Sequence, residues 1–270
     1  MIDRQALLKQ YGALVDSEGI FIKALDLLYY ADNHYESQIT DFLTPDLSFA
    51  IEQIAKNQTD LITRRWGVFQ EPERVKLLIV PEYTLDNEQQ AQKLYQSNVS
   101  LLDIQYNQKF NQLAHSDALG ALMALGIKRS KLGDIVVYDG GFQVVVDSSL
   151  SDYFLQNVDK IGRAGVKVKK ISFEEAKVNV PNKRAVSGTV KSVRLDSIIA
   201  LCFSLSRSES QKLIESELVK VNHGVVNRTD YVIKIGDLIS VRGHGRFVVE
   251  EILGVTKKDR IRVVLSVMTR

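Results

Sequence analysis

Hydrophobic positions recur with two different periods along the first part of the chain. Leu7, Leu8 and Tyr11, then Ile22, Leu25, Leu28 and Tyr29, follow helical spacing, so residues 3–33 are expected to be helical. Thr44-Pro45-Asp46 starts another helix, with Phe49, Ile51 and Ile54 as its expected buried set. Residues 61–69 and 75–80 read as two strands of a hairpin around Glu71-Pro-Glu-Arg74, and Pro81 closes the second. A helix over residues 88–96 follows.

A tighter alternation begins at Leu101-Leu-Asp-Ile-Gln-Tyr106, which reads as a strand. Residues 118–125 read as a helix ended by Gly126. Ile135-Val-Val-Tyr138 and Phe142-Gln-Val-Val-Val146 flank Asp139-Gly140-Gly141, a hairpin signal. Ser149 is the expected cap of a helix running to Lys160, and residues 166–171 form a last strand. This βαββαβ order is the ferredoxin-like arrangement, which RNA-recognition-motif (RRM) domains share. Such sheets stack bases on aromatic side chains. Here the strands offer Tyr106, Tyr138 and Phe142, without the Gly-aromatic signature. Residues 179–189 have linker character. The expected organisation is α+β throughout: an N-terminal helical/α+β domain (1–97), a central ferredoxin-like, RRM-like domain (98–178) and a C-terminal domain (190–270).

In the C-terminal region Leu195, Ile198, Ile199 and Cys202 make one apolar helical stripe, led by an outward Arg194. Ser206 and Glu209 form a capping box for a second helix that buries Leu213, Ile214 and Leu218. Arg207, Ser208, Gln211 and Lys212 lie on its first turns, where backbone N–H groups and the positive dipole end favour phosphate. A hairpin over Asn222-His223-Gly224 carries Lys220. A turn at Gly236-Asp237 launches the strand 238–241. Arg242-Gly-His-Gly-Arg246 then sets two forked cations and His244 on a glycine-rich loop. Each piece has a structural reading of its own; together they compose an RNA-docking face.

Charge strengthens that picture. The 270-residue chain has a net charge of only +2. Residues 182–270, however, hold 16 Lys/Arg against 9 Asp/Glu, an excess of seven, while residues 1–181 hold 19 against 24, a deficit of five. A basic end on an acidic body points to a polyanion. The single cysteine, Cys202, excludes an internal disulfide and a multi-cysteine metal site, and its apolar neighbours point to a buried, inert thiol. The first ten residues lack the apolar core of a secretory leader, and no apolar run is long enough to span a bilayer. A cytoplasmic monomer is expected. No phosphate loop or dinucleotide fingerprint is present, and His34, His115, His223 and His244 have no metal-site spacing. No enzyme, cofactor or metal is therefore expected.

Arg194-Leu-Asp196, Ser206-Arg207-Ser208, Val219-Lys-Val-Asn222 and Lys234-Ile-Gly-Asp237 resemble the S-four RNA-binding domain. His115-Ser-Asp-Ala-Leu-Gly120, Gly126-Ile-Lys-Arg129, Lys131-Leu-Gly-Asp-Ile135, Trp66-Gly67, Glu73-Arg74 and Pro81-Glu-Tyr83 resemble the YlmH family. The family pattern has arginine where this chain has Ser116. The resemblance implies a non-catalytic factor binding ribosomal RNA and tRNA on a large ribosomal subunit obstructed by peptidyl-tRNA. There it supports a tailing factor that adds C-terminal alanines in ribosome-associated quality control. Arg194, Arg207, Ser208, Lys212, Lys220, Asn222, Arg242, His244 and Arg246 are the expected RNA contacts, with His115, Lys128, Arg129 and Lys131 as a second set. The alternatives are an RNA-modifying enzyme, such as a pseudouridine synthase, and a cell-division-linked scaffold.

Overall fold

The computed structural model describes residues 4–15, 19–70, 72–82, 88–177, 183–256 and 258–268. The chain forms two compact units, Met1–Asn179 and Val180–Arg270. Both mix helices with antiparallel sheet, an α+β fold.

The first unit starts with α1 (Arg4–Gln10), α2 (Ile20–His34), β1 (Gln38–Ile39), α3 (Pro45–Gln58), β2 (Leu61–Trp66) and β3 (Lys76–Pro81). Helices α2 and α3 bury Phe21, Leu25, Leu28, Ile51 and Ile54 with Leu77 and Ile79 of the three-stranded sheet β1-β3-β2. Phe49 is only half-buried; Leu47 and Ala50 join Ile51 and Ile54 on the buried face instead, because that face is centred one position earlier.

α4 (Glu88–Asn98) leads into β4 (Val99–Tyr106), α5 (His115–Ala124), β5 (Leu132–Tyr138), β6 (Gly141–Asp147), α6 (Ser151–Asn157), β7 (Lys160–Ile161) and β8 (Ala164–Ile171). The sheet order β5-β6-β4-β8-β7, antiparallel throughout, is the βαββαβ arrangement with one short strand added at its edge. Ala118, Leu122 and Phe154 of the two helices pack on Leu102, Ile104, Phe142 and Val144. Asp147, not Ser149, caps the turn before α6, accepting from the Ser149 N–H at 3.2 Å. That helix ends at Asn157, and Lys160 belongs to β7.

The second unit comprises β9 (Lys183–Val190), α7 (Leu195–Phe203), α8 (Arg207–Glu215), β10 (Val219–Val221), β11 (Gly224–Val225), β12 (Leu238–Val241), β13 (Gly245–Val255) and β14 (Ile261–Met268). Its six strands run in the order β11-β10-β12-β13-β14-β9. The apolar stripe of α7 is buried as expected and meets Ile214, Val219, Phe247, Val263 and Leu265; Leu213 packs against this core half-buried. Residues 183–189, read above as linker, are strand: β9 pairs with β14 over its whole length, so its polar residues sit on an edge. Residues 179–182 of the expected linker lie outside the described residues. The long hairpin β13–β14 goes beyond the sequence-based expectations. Within it Arg260 donates to the Thr189 hydroxyl at 2.8 Å and to the Thr189 carbonyl.

Candidate nucleic-acid interface

Asp196 organises the start of the two-helix layer in the second unit. Its carboxylate, at 0% exposure, accepts from Arg207 Nε at 2.9 Å, Gln211 Nε2 at 3.1 Å and Arg194 Nε at 3.3 Å. Burial opposes its ionisation, but the Arg207 and Gln211 hydrogen bonds and the two arginine charges outweigh that and hold its carboxyl below the ordinary value. Arg194 and Arg207 thus each spend one donor on the fold. The rest of the Arg207 side chain is 59% exposed.

The capping box on α8 is formed. Glu209 N–H donates to Ser206 Oγ at 3.2 Å, and Ser206 N–H donates to Glu209 Oε2 at 2.8 Å. Arg207, Ser208 and Lys212 are exposed on this helix. Beside it lies the glycine-rich turn: the His244 ring is 5.5 Å from that of Phe203, at the end of α7, and its charge reaches Glu209. Gly243 (φ +84°) and Gly245 (φ +123°) both need conformations that other residues rarely adopt. They carry exposed Arg242 and His244: the Arg242 N–H donates to the Leu218 carbonyl at 2.9 Å, just past the end of α8, and His244 lies near Glu209 in its first turn.

Register places Lys220, Ser240 and Arg246 side by side on β10, β12 and β13, on the face opposite the buried Val219, Val221, Ile239 and Phe247. Asn222 is committed elsewhere. Its Nδ2 donates to Asp237 at 2.8 Å and its Oδ1 accepts from the Leu238 N–H at 2.9 Å. It clamps the Asn222-His223 turn, both residues at positive φ, to the next strand. Cys202 is buried and its thiol is pushed up to about 12 by that burial.

In the first unit the expected second set divides in two. His115, the first residue of α5, and Lys128 are exposed. Burial and the nearby Arg129 charge lower the His115 pKa and favour the neutral ring, while Glu73 pulls the other way. The cap of α5 comes from Asp117, which accepts from the Ala114 N–H at 2.7 Å. Arg129 donates to the Leu132 and Gly133 carbonyls. Lys131 bridges Asp41 at 2.6 Å and Asp147 at 3.2 Å. Around them Asp134 accepts from the Glu73 and Arg74 N–H groups, both at 2.9 Å, while the Arg74 guanidinium donates to the carbonyls of Leu132, Phe42 and Arg129. The motif residues of this region therefore fasten the N-terminal sheet to the central one. Of the sheet aromatics, Tyr106 and Phe142 face the helices and are unavailable for stacking; Phe142 is 0% exposed. Pro81-Glu-Tyr83 ends outside the described residues at Tyr83.

Among the described residues no group of three or more His, Cys, Asp or Glu side chains is placed to hold a metal ion, and no helix is long and apolar enough to cross a membrane.

Residues 93–175 match the family described as "Putative RNA-binding domain in YlmH", and residues 193–239 match the S4 domain. The "Ribosome-associated protein quality control protein P2" of Bacillus subtilis (strain 168) is 32% identical over 248 residues, spanning 92% of this chain and 94% of that protein. The chain belongs to the YlmH family. A solved structure titled "Cell division protein ylmH from Streptococcus pneumoniae" is similar at 28% identity and a TM-score of 0.48, over 59% of this chain and 93% of that one. In this YlmH-family chain the S4 match contains Asp196, the capped α8 and the Asn222 clamp, while the 242–246 turn follows it directly.

Proposed function

We propose that this chain is a non-catalytic, cytoplasmic RNA-binding factor of ribosome-associated quality control. It docks on ribosomal RNA and tRNA of a large subunit obstructed by peptidyl-tRNA and supports C-terminal alanine tailing. The observation that carries the reading is the juxtaposition in the second unit of the start of α8 with His244 of the 242–246 turn, flanked by the exposed cations Arg207, Lys212 and Arg242. Lys220 and Arg246 continue it onto the sheet, and Arg194 lies at its buried root. Guanidinium groups and exposed backbone suit phosphates of a folded RNA, whose base edges are hidden in a deep groove. The quality-control role of the B. subtilis relative, by its name, supports the ribosome as the setting. In this reading residues 1–97, 98–178 and 190–270 are three functional segments, the first two built around separate hydrophobic clusters but riveted through Arg74 and Asp134.

The test is binding of the purified protein to large subunits as salt is raised. With about four to six phosphates neutralised, log affinity should fall against log salt with a slope of about −3 to −5. Lys212→Glu with Arg242→Glu should make the slope shallower by about two and weaken binding by more than tenfold. A salt-independent affinity overturns the reading. So does conversion of uridine in bound RNA by the pure protein, which is what a pseudouridine synthase would produce.

A further inference from the structure

Base stacking in the RNA-recognition manner would use the face of the central sheet turned away from α5 and α6. One end of that face is covered: Leu101, Val136 and Val145 pack under Phe42, Phe69 and Tyr95. The other end has a different character. Register sets Tyr138, Gly141, Gln105 and Lys167 in one row across four strands, with Gln143, Asp103 and Lys169 in the next. The Tyr138 ring lies over Gly141, where a Cβ would stand 2.4 Å from the Tyr138 hydroxyl oxygen. That hydroxyl donates to Asp103 at 2.6 Å, which holds the ring down on the sheet. Lys177 Nζ covers the ring at 5.2 Å from its centroid, on a segment tied to β6 by both ends of the Gln143 amide. Lys160, paired with Gly165, extends the line of Lys167 and Lys169, and all three are exposed.

Lysines on an open edge guard against edge-to-edge pairing, and where β8 runs past the short edge strand β7 that alone could account for Lys167 and Lys169. It does not account for the aromatic ring in the same row, nor for a cation held over that ring. It also does not account for a line of cations on a unit with a net deficit of five positive charges. We propose that this end of the sheet binds a single-stranded RNA segment. One base stacks on Tyr138 in the place Lys177 occupies, and the adjoining phosphates pair with Lys160, Lys167 and Lys169. The proposal rests on the RNA-binding reading above and adds a contact region on the first unit.

The experiment uses the full chain and a fluorescein-labelled single-stranded octaribonucleotide of mixed sequence containing 4-thiouridine, with affinity read by polarisation at several salt concentrations. Lys167→Gln with Lys169→Gln should make the salt slope shallower by about 1.4, at about 0.7 per phosphate of single-stranded RNA. Tyr138→Leu should weaken binding by about tenfold, and Tyr138→Phe, which keeps the ring, should restore it to within about twofold. Crosslinks should fall in β5–β6. Unchanged affinity and slope in variants that melt with the parent, or crosslinks confined to residues 183–268, overturn the proposal, as does failure of the parent to bind the octamer. Lys212→Glu with Arg242→Glu separates the two readings. It should lower ribosome binding and leave the Tyr138 crosslink in place. A Tyr138 crosslink in a protein that does not bind ribosomes would overturn the proposed function and not this one.

Discussion

At the scale of single residues, the cations of this chain divide into those spent on the fold and those presented to solvent. Asp196 shows the division. It sits at 0% exposure and draws one donor each from Arg194, Arg207 and Gln211. Asp196→Asn should destabilise the second unit by about 2 kcal/mol, the size of lost charge-assisted hydrogen bonds, because Arg207 remains hydrated when its acceptor goes. Urea unfolding measures it; a loss under about 0.5 kcal/mol would contradict the assignment. Residue type and spacing marked Arg207, Lys212, Arg242 and Arg246 as cations near helix and strand ends. They could not show that Asn222 clamps a turn or that Arg129 and Lys131 hold carbonyls and carboxylates, because those partners come from other elements.

At the scale of elements, caps and turns were the most legible features, since their chemistry is contained in a few consecutive residues. Ser206 with Glu209 and Asp139-Gly140 are read from the sequence and found in place. Ser206→Ala should cost about 1 kcal/mol through loss of the α8 cap, seen as a lower midpoint in thermal unfolding. Gly141→Ala should cost more, roughly 2–3 kcal/mol, because the new methyl would meet the Ile104 carbonyl oxygen at 2.6 Å as well as Tyr138. Equal stability of Gly141→Ala and the parent would show that Tyr138 does not lie over β6. Strand β9 was missed for the opposite reason. Lys183, Arg184, Ser187 and Thr189 carry no alternating apolar signal, and only the free edge of β14 makes that segment a strand.

At the scale of the whole molecule, an ion-pair chain sets how the first unit responds to acid. Asp147 accepts from Lys76 at 2.7 Å, and Lys76 has a side-chain exposure of 3%; Lys131 joins Asp147 to Asp41. Burial works against the charged form of Asp147, yet the bonds from Lys76 and Ser149 and the lysine charges depress its pKa well below the usual carboxylate range. A depressed carboxylate contributes stability that is complete above its unfolded pKa, about 3.9, and is lost as pH falls below it. Asp147→Asn should therefore cost about 3 kcal/mol at neutral pH, leaving Lys76 buried without its counter-charge, and the gap to the parent should close as pH falls below about 4. A pH-independent gap in denaturant unfolding would refute this.

Length scale separates what the sequence determined by itself from what the tertiary structure decided. Most helical and strand periods, the α8 cap, the hairpin turns, the charge split and the family motifs are properties of neighbouring residues, and these were readable without a structure. The roles of the motif side chains were not. Arg74 and Asp134 are 60 residues apart, Arg207 and Asp196 are 11, and Tyr138 and Asp103 are 35. Which face Tyr138, Tyr106 and Phe142 take depends on strand register, where a shift of one residue exchanges the faces. Whether a cation is free for RNA or bound by a buried carboxylate depends on which chain segments the core brings together, and only the packed fold settles that.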